Sequence, residues 1–126
     1  MADVYRAVDV RLGRNVALKL LASDLAEDER FRTRFLQESR LAASLDHPNV
    51  IPVYEAGELD GLLYIAMRYV EGTDLKRVVE REGALEPGRV LDLLGRVAGA
   101  LDAAHARDLV HRDVKPGNVL LALDPD

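Results

Sequence analysis

The sequence predicts an α+β fold, with a small antiparallel sheet and one helix followed by a mainly helical segment. Before Glu71, apolar residues form short β-rich runs arranged as two hairpins around one helical stretch. After Glu71 the sequence contains one short and one long helical pattern. The 126 residues are 48% apolar and 31% charged and include no cysteine, so the core is expected to form without disulfides or thiolate metal centres.

The first half predicts two strands, one helix and two further strands. A turn around Gly13 joins the first two strands, and three acidic residues in the first turn of the helix favour the positive end of its dipole. His47-Pro48-Asn49 then ends the helix. The predicted ranges are Val4 to Val8, Asn15 to Leu21, a helix from Glu27 to Leu45, Val50 to Ala56, and Leu62 to Val70.

The second half predicts two helices. The first runs from Asp74 to Glu82, with Asp74 or Thr73 as its N-cap and Gly83 at its end. The second begins at Pro87, reaches about Arg107 and is apolar around much of its circumference. Because no other long helix follows to cover that surface, we expect an exposed apolar stripe through which the chain self-associates.

Charge and hydropathy exclude several classes of function. The net charge is −5 and neither half of the chain is basic, which argues against nucleic acid as a partner. The longest apolar run, Leu62 to Met67, is too short to span a membrane, so a cytoplasmic location is expected. Only three of the 17 basic residues are lysines, Lys19, Lys76 and Lys115, which suggests positions where a compact ammonium group is needed.

Two charged residues interrupt apolar faces in the first half. Glu38 falls on the inward stripe of the predicted helix, and Lys19 lies among apolar strand residues. Each has an ordinary alternative, because Glu38 could reach water at the edge of the stripe and Lys19 could lie on an edge strand. Two buried charges on neighbouring elements would instead favour an ion pair, since either one alone carries a desolvation cost of several kcal/mol.

The segment His111–Asn118 is the most informative part of the sequence. Six polar or rigid side chains occupy eight positions between two apolar runs, which is typical of a loop that presents side chains for chemistry. With the sequences VALK at 16–19, HPN at 47–49, YIAMRYVEG at 64–72 and HRDVKPGN at 111–118, the chain resembles the bacterial members of the eukaryotic-like Ser/Thr protein kinases. Small-molecule kinases share only a looser form of the last motif, so Arg112 and Lys115 favour the protein-kinase branch.

The resemblance implies a protein-kinase-like fold, ATP and Mg²⁺ as cofactors, and a protein substrate with Ser or Thr. Lys19 would hold the α- and β-phosphates and pair with Glu38, Asp113 would orient the substrate hydroxyl, and Lys115 would neutralise the transferred phosphoryl group. Asn118 would bind magnesium, and Arg112 would pair with a phosphorylated activation loop. The residues implied to contact the nucleoside are Val4, Ala17, Met67 as gatekeeper, Arg68 and Val70 in the hinge, Asp74 at the ribose, and Leu120.

The sequence also departs from the kinase pattern. The glycine-rich phosphate loop expected before Val4 is absent, and no Asp-Phe-Gly follows the loop at 111–118. Residues 1–70 are therefore interpreted as an N-lobe lacking its first strand, and residues 71–126 as the first part of a C-lobe. We expect the chain alone to be an inactive kinase fragment; the alternatives are a pseudokinase-like binding or regulatory module and a small-molecule phosphotransferase.

Overall fold

The computed structural model describes residues 2–111 and 113–122, so the predicted regulatory residue Arg112 lies outside the described residues. Their contacts divide into an N-terminal unit of residues 2–46 and 50–69, and a C-terminal unit containing residues 47–49 and the described residues from Val70 onward. The elements in chain order are β1 (Ala2–Asp9), β2 (Arg14–Leu21), α1 (Ser23–Ala26), α2 (Glu29–Ala43), β3 (Val53–Leu59), β4 (Leu62–Arg68), β5 (Gly72–Asp74), α3 (Leu75–Glu82), α4 (Pro87–His105), a 3₁₀ turn (Pro116–Asn118) and β6 (Leu120–Ala122).

The N-terminal unit contains a four-stranded antiparallel sheet in the order β1-β2-β4-β3. Both predicted hairpins are present. Asp60 and Gly61 connect β3 to β4 with φ values of 52° and 78°, and positive φ at both central residues is the requirement of a type I′ hairpin turn. In the first hairpin, Asp9 accepts hydrogen bonds from the backbone N–H groups of Arg11 and Leu12 and so stabilises the tip.

The helix predicted from about Glu27 to Leu45 is present as α2, which is two residues shorter at each end, and the short helix α1, which was not predicted, precedes it. Asp28 is the reason for the break. Its side chain accepts hydrogen bonds from the N–H groups of Arg30 and Phe31, and its own backbone is extended (φ −83°, ψ 111°). A residue that caps a helix in this way adopts non-helical angles, so α2 begins only at Glu29.

The N-terminal unit has a small core. Leu63 on β4 is completely buried, and Val16 and Ala26 are nearly so. Helix α2 packs on the sheet, and the Arg32 guanidinium binds the Glu58 carboxylate of β3 at 2.9 Å. Because Glu58 lies opposite Leu63, α2 covers the face of the sheet that carries Leu63.

The C-terminal unit contains α3 and α4 and a two-stranded sheet of β5 and β6, which the sequence analysis did not predict. The predicted cap of α3 is confirmed as Asp74, which accepts a hydrogen bond from the Arg77 N–H, and Gly83 ends the helix with φ 76°. The turn at 47–49 belongs to this unit, since a Cβ built on Gly99 of α4 would lie 3.6 Å from Nε2 of His47.

Helix α4 spans Pro87–His105, two residues shorter than predicted, and none of its residues is buried. Leu91 and Leu94 are 72% and 54% exposed. The helix therefore leaves apolar surface uncovered by the described residues of this chain, as the breadth of its stripe predicts. Within the described residues, no helix combines the length and apolar character needed to cross a bilayer.

Candidate catalytic and nucleotide-binding residues

Four of the predicted nucleotide-binding residues share one face of the N-terminal sheet. In the strand register, Lys19 lies opposite both Val4 and Ile65, and Ala17 lies opposite Met67. Directly opposed residues of antiparallel strands project to the same face, and positions two apart on a strand do so as well. The fold therefore brings Val4, Ala17, Lys19 and Met67 together as an apolar surface with one ammonium group.

Glu38 lies on α2, which covers this same face of the sheet. Lys19 nevertheless makes no ion pair within 4.0 Å with any described residue, so the ion pair predicted between Lys19 and Glu38 is not formed in this conformation. Both residues are only partly buried. Lys19 keeps access to water, so its ammonium group does not carry the full desolvation cost on which the prediction of a pair depended.

The hinge segment follows Met67 at the end of β4. The N–H of Arg68 donates to the carbonyl of Pro52 at 3.0 Å, which fixes the backbone at that point. Among the described residues, the backbone N–H and C=O of Val70 have no backbone partner, so both are available to a ligand. The guanidinium of Arg6 lies 4.7 Å from the ring centroid of Tyr69, a cation–π contact that sequence reasoning missed.

Asp74 and Leu120 are brought together by the unpredicted pairing of β5 with β6. The two residues are direct partners in the register, and the N–H of Leu75 donates to the carbonyl of Val119 at 2.9 Å. Asp74 also caps α3, and its Oδ2 lies 3.5 Å from Nε of Arg77. A carboxylate has about four lone-pair positions, so Asp74 can hold the helix and still accept a further hydrogen bond.

The predicted catalytic residues Asp113 and Lys115 form one cluster with the predicted magnesium ligand Asn118. Nδ2 of Asn118 donates to the carbonyl of Asp113 at 2.8 Å and lies 3.4 Å from Oδ2 of the same residue. Nζ of Lys115 lies 3.4 Å from that Oδ2, and the Asp113 N–H donates to Nδ1 of His111 at 3.1 Å. The loop thus holds the exposed Asp113 carboxylate beside the Lys115 ammonium and the Asn118 amide. Hydrogen bonds join Asp113 to both His111 and Asn118.

The 3₁₀ turn gives this loop its shape. Lys115 has an extended backbone, and Pro116 begins the turn, where its fixed φ is favourable and its missing N–H costs nothing. The N–H of Asn118 donates to the Lys115 carbonyl at 2.9 Å. The amide nitrogen of Asn118 is engaged with Asp113, so its Oδ1 faces away from that contact.

The fold and this loop are those expected of the protein-kinase-like class of proteins, and the comparison with known proteins gives the family. Residues 1–126 match the protein kinase domain family, and the chain belongs to it. The Ser/Thr-protein kinase PknE of Mycobacterium tuberculosis H37Rv is 46% identical over 124 residues, and PrkC of Bacillus subtilis 168 is 45% identical over 121. The resemblance to bacterial Ser/Thr protein kinases is confirmed.

Solved structures agree on the fold. The crystal structure of the PknI kinase domain of M. tuberculosis aligns with a TM-score of 0.84 at 45% identity, covering 97% of this chain. The predicted kinase-like α+β fold is therefore confirmed. The chain spans about half of that crystallised domain (51%), and about a fifth of the length of PknE (22%) and PrkC (19%).

Proposed function

We propose that this chain supplies nucleotide-binding and catalytic-loop residues of a Ser/Thr protein kinase, which transfers the γ-phosphoryl group of ATP to protein hydroxyls. The observation that carries the proposal is the cluster of Asp113, Lys115 and Asn118. In that role Asp113 accepts the hydrogen bond of the substrate hydroxyl, and Lys115 supplies positive charge beside the site of transfer. The family match supports these roles.

The residues present fit ATP. The shared sheet face offers apolar surface at Val4, Ala17 and Met67 for a flat base, and the Lys19 ammonium stands about 7 Å along the strand from Ala17 for phosphate oxygens. Glu38 retains its proposed role as the partner that orients Lys19 when nucleotide is present. Leu120 and the free backbone groups of Val70 are further proposed contacts to the base, and Asp74 is the proposed contact to the ribose.

The residues present also fit magnesium. Mg²⁺ prefers oxygen ligands and usually takes one or two from protein, the rest coming from phosphates and water. Oδ1 of Asn118 is such an oxygen. Among the described residues no group of three or more His, Cys, Asp or Glu could hold a metal by itself, which agrees with a site that depends on phosphate oxygens. When bound, the ion neutralises phosphate charge during transfer.

A chimera tests the proposal. The matching 124-residue segment of PknE is replaced by this sequence, and phosphate transfer from ATP to a Ser/Thr-containing protein is measured. We expect transfer, and we expect Asp113→Asn to lower it by about 10²–10⁴-fold, the usual contribution of a positioned acid–base group. An inactive chimera beside an active PknE parent would contradict the proposal.

A matched control separates chemistry from folding. Asp108→Asn makes the same change five residues upstream, where the residue has φ 60° in the left-handed region that Asn also adopts readily. This variant should keep the activity of the parent chimera. If both variants lose activity equally, Asp113 has no special role in transfer.

The chain by itself should not phosphorylate protein and should bind MgATP weakly, because the sequence holds no Asp-Phe-Gly aspartate to retain the metal. Calorimetric titration with MgATP measures the affinity directly. A micromolar dissociation constant, or turnover by the chain that depends on Asp113, would contradict this expectation.

Self-association through α4 remains a prediction, and sedimentation that finds a monodisperse monomer would count against it.

A further inference from the structure

Arg6 and Tyr69 form a cation–π contact to which the proposed function gives no role. The guanidinium carbon of Arg6 lies 4.7 Å from the centroid of the Tyr69 ring. Arg6 lies on β1 and Tyr69 follows the end of β4, and both residues belong to the N-terminal unit. Arg6 makes no ion pair with any described residue, so within that part of the chain the Tyr69 ring is the group that orients its guanidinium.

Arg6 lies on the sheet face that is proposed to bind the nucleotide. It is the direct partner of Ala17, which in turn is the partner of Met67, so these three residues form one row across the strands. Val4 and Lys19 form the next row on the same face, about 7 Å away along the strands. The row of Arg6 is therefore the base end of this face, and the row of Lys19 is its phosphate end.

Tyr69 directly precedes the residue whose backbone is proposed to contact the base. The planar peptide group between Tyr69 and Val70 contains the Val70 N–H, so the position of Tyr69 sets the direction of that donor. On the preceding side, the N–H of Arg68 donates to the Pro52 carbonyl at 3.0 Å. The Arg6 guanidinium restrains the same short segment through the Tyr69 ring, which is only partly buried.

We propose that Arg6 is a positioning residue for nucleotide binding, which acts through the Tyr69 ring to hold the Val70 N–H in one orientation for the base. This inference rests on the proposed kinase function and adds a residue that sets the affinity for the base rather than for the phosphates. A cation–π contact at an exposed site corresponds to about a two- to fivefold change in an equilibrium constant. Loss of the contact should weaken nucleotide binding by that factor and leave the rate of phosphoryl transfer unchanged.

The affinities of the PknE chimera for ADP and for adenosine test the proposal without requiring catalysis. Arg6→Gln should lower both affinities by about two- to fivefold, because both ligands carry the base. A cation that attracted the phosphates instead would change the affinity for ADP alone, since adenosine is uncharged. In the transfer assay, Arg6→Gln should raise KM for ATP by a similar factor with kcat unchanged.

Variants of Tyr69 show whether Arg6 acts through the ring. Tyr69→Phe should keep the affinities of the parent chimera because the aromatic face remains, whereas Tyr69→Leu should lower them as Arg6→Gln does. In a Tyr69→Leu background, Arg6→Gln should have no further effect, and a second full loss would contradict the coupling of the two residues. Arg6→Lys should keep part of the affinity, since an ammonium group also binds an aromatic face.

Arg14→Gln is the matched control. The guanidinium carbon of Arg14 lies 3.7 Å from the centroid of the Tyr54 ring, which is a contact of the same kind in the same unit. Arg14 precedes Ala17 on β2 by three positions and so projects to the opposite face of the sheet. This variant makes the same change of charge and loses a similar contact, so it should leave both affinities unchanged.

Unchanged affinities in Arg6→Gln, an equal loss in Arg14→Gln, or a loss confined to ADP would overturn the proposal. Transfer with a KM for ATP that Arg6→Gln leaves unchanged would refute the role of Arg6 and leave the kinase function standing. Arg6-dependent binding of adenosine without transfer would support the role of Arg6 and refute the kinase function. A parent chimera that binds neither ligand and transfers no phosphate would overturn both.

Discussion

Gly72 permits the close pairing of β5 with β6, and replacing it with alanine should disrupt that pairing. Gly72 has φ 153°, a conformation that residues with a Cβ rarely adopt, and a Cβ at this position would lie 2.0 Å from the carbonyl oxygen of Leu121. Since real Cβ atoms essentially never approach another heavy atom more closely than 3.0 Å, one strand must move by about 1 Å. The obstacle is backbone, which cannot rotate away as a side chain would.

The expected cost follows from two contributions. Forcing a residue with a Cβ into a sparsely populated region of φ and ψ costs about 1–3 kcal/mol, and each ladder hydrogen bond lost costs about 1 kcal/mol. The β5–β6 pairing is only three residues long, so displacing one strand removes a large fraction of it. We therefore expect Gly72→Ala to lower the free energy of unfolding by about 2–4 kcal/mol.

Urea denaturation followed by far-ultraviolet circular dichroism measures this change, and Gly95→Ala is the matched control. Gly95 lies within α4 of the same unit, and nothing lies within 4 Å of a Cβ built there. Alanine should raise the free energy of unfolding by about 0.8–1 kcal/mol at that position because it is the better helix former. A Gly72→Ala chain with the same midpoint as the wild type, or a higher one, would refute the reasoning.

Three further predictions concern the N-terminal unit. Leu63→Ala should lower the free energy of unfolding by about 2–5 kcal/mol, because Leu63 is completely buried; denaturant titration measures it, and a cost below 1 kcal/mol would count against this core. Asp28→Ala should cost about 1 kcal/mol through loss of the α2 cap, whereas Asp28→Asn should be nearly neutral in the same titration. The pKa of Tyr64 is raised above 10.0 by the hydrogen bond that its hydroxyl donates to Glu55, by burial and by the Glu55 charge. The protonated tyrosine therefore stabilises the folded chain fully below pH 10.0. This stabilisation is lost as the pH rises through the pKa of Tyr64 in the folded state. Glu55→Gln should shift that tyrosine's titration, followed by absorbance, to lower pH; an unchanged curve would contradict the assignment.

The proximity of the polar residues in the loop at 111–118 was predictable because the information for it is local. Asp113, Lys115 and Asn118 lie within six residues, and a chain that turns at Pro116 brings such near neighbours together without help from distant elements. The shared face of Ala17 and Lys19 was predictable for the same reason, since alternation along one strand fixes it. That Val4 and Met67 join this face depends on strand register. The hairpin turn sets the register of Val4, whereas that of Met67 depends on the pairing of β2 with β4, which no hairpin connects.

The errors came from contacts between residues far apart in sequence. The strands β5 and β6 are three residues each and lie more than 40 residues apart, so neither has a detectable period of its own. The predicted strand ends at Val70, and no local pattern marks Gly72 as the residue whose missing side chain allows the pairing. Lys19 makes no ion pair with a described residue in this conformation, because periodicity indicates a face but not a degree of burial, and Lys19 is only partly buried.

The β5–β6 pairing holds the start of α3 beside the end of the loop at 111–118. It fixes Asp74 opposite Leu120, and continues as the bond from Leu75 to Val119, at the point where α3 begins and the catalytic loop ends. Lys76 of α3 and Gly117 of the loop lie close together and are each within three residues of that junction, so their proximity follows from the same pairing. A loosened junction should therefore weaken the contact between α3 and the loop as well as stability. In Gly72→Ala the amide hydrogen of Leu75, which donates to the Val119 carbonyl, should exchange with solvent faster, and in Gly95→Ala its exchange should be unchanged. An unchanged exchange rate in Gly72→Ala would show that α3 and the loop are held together by other contacts.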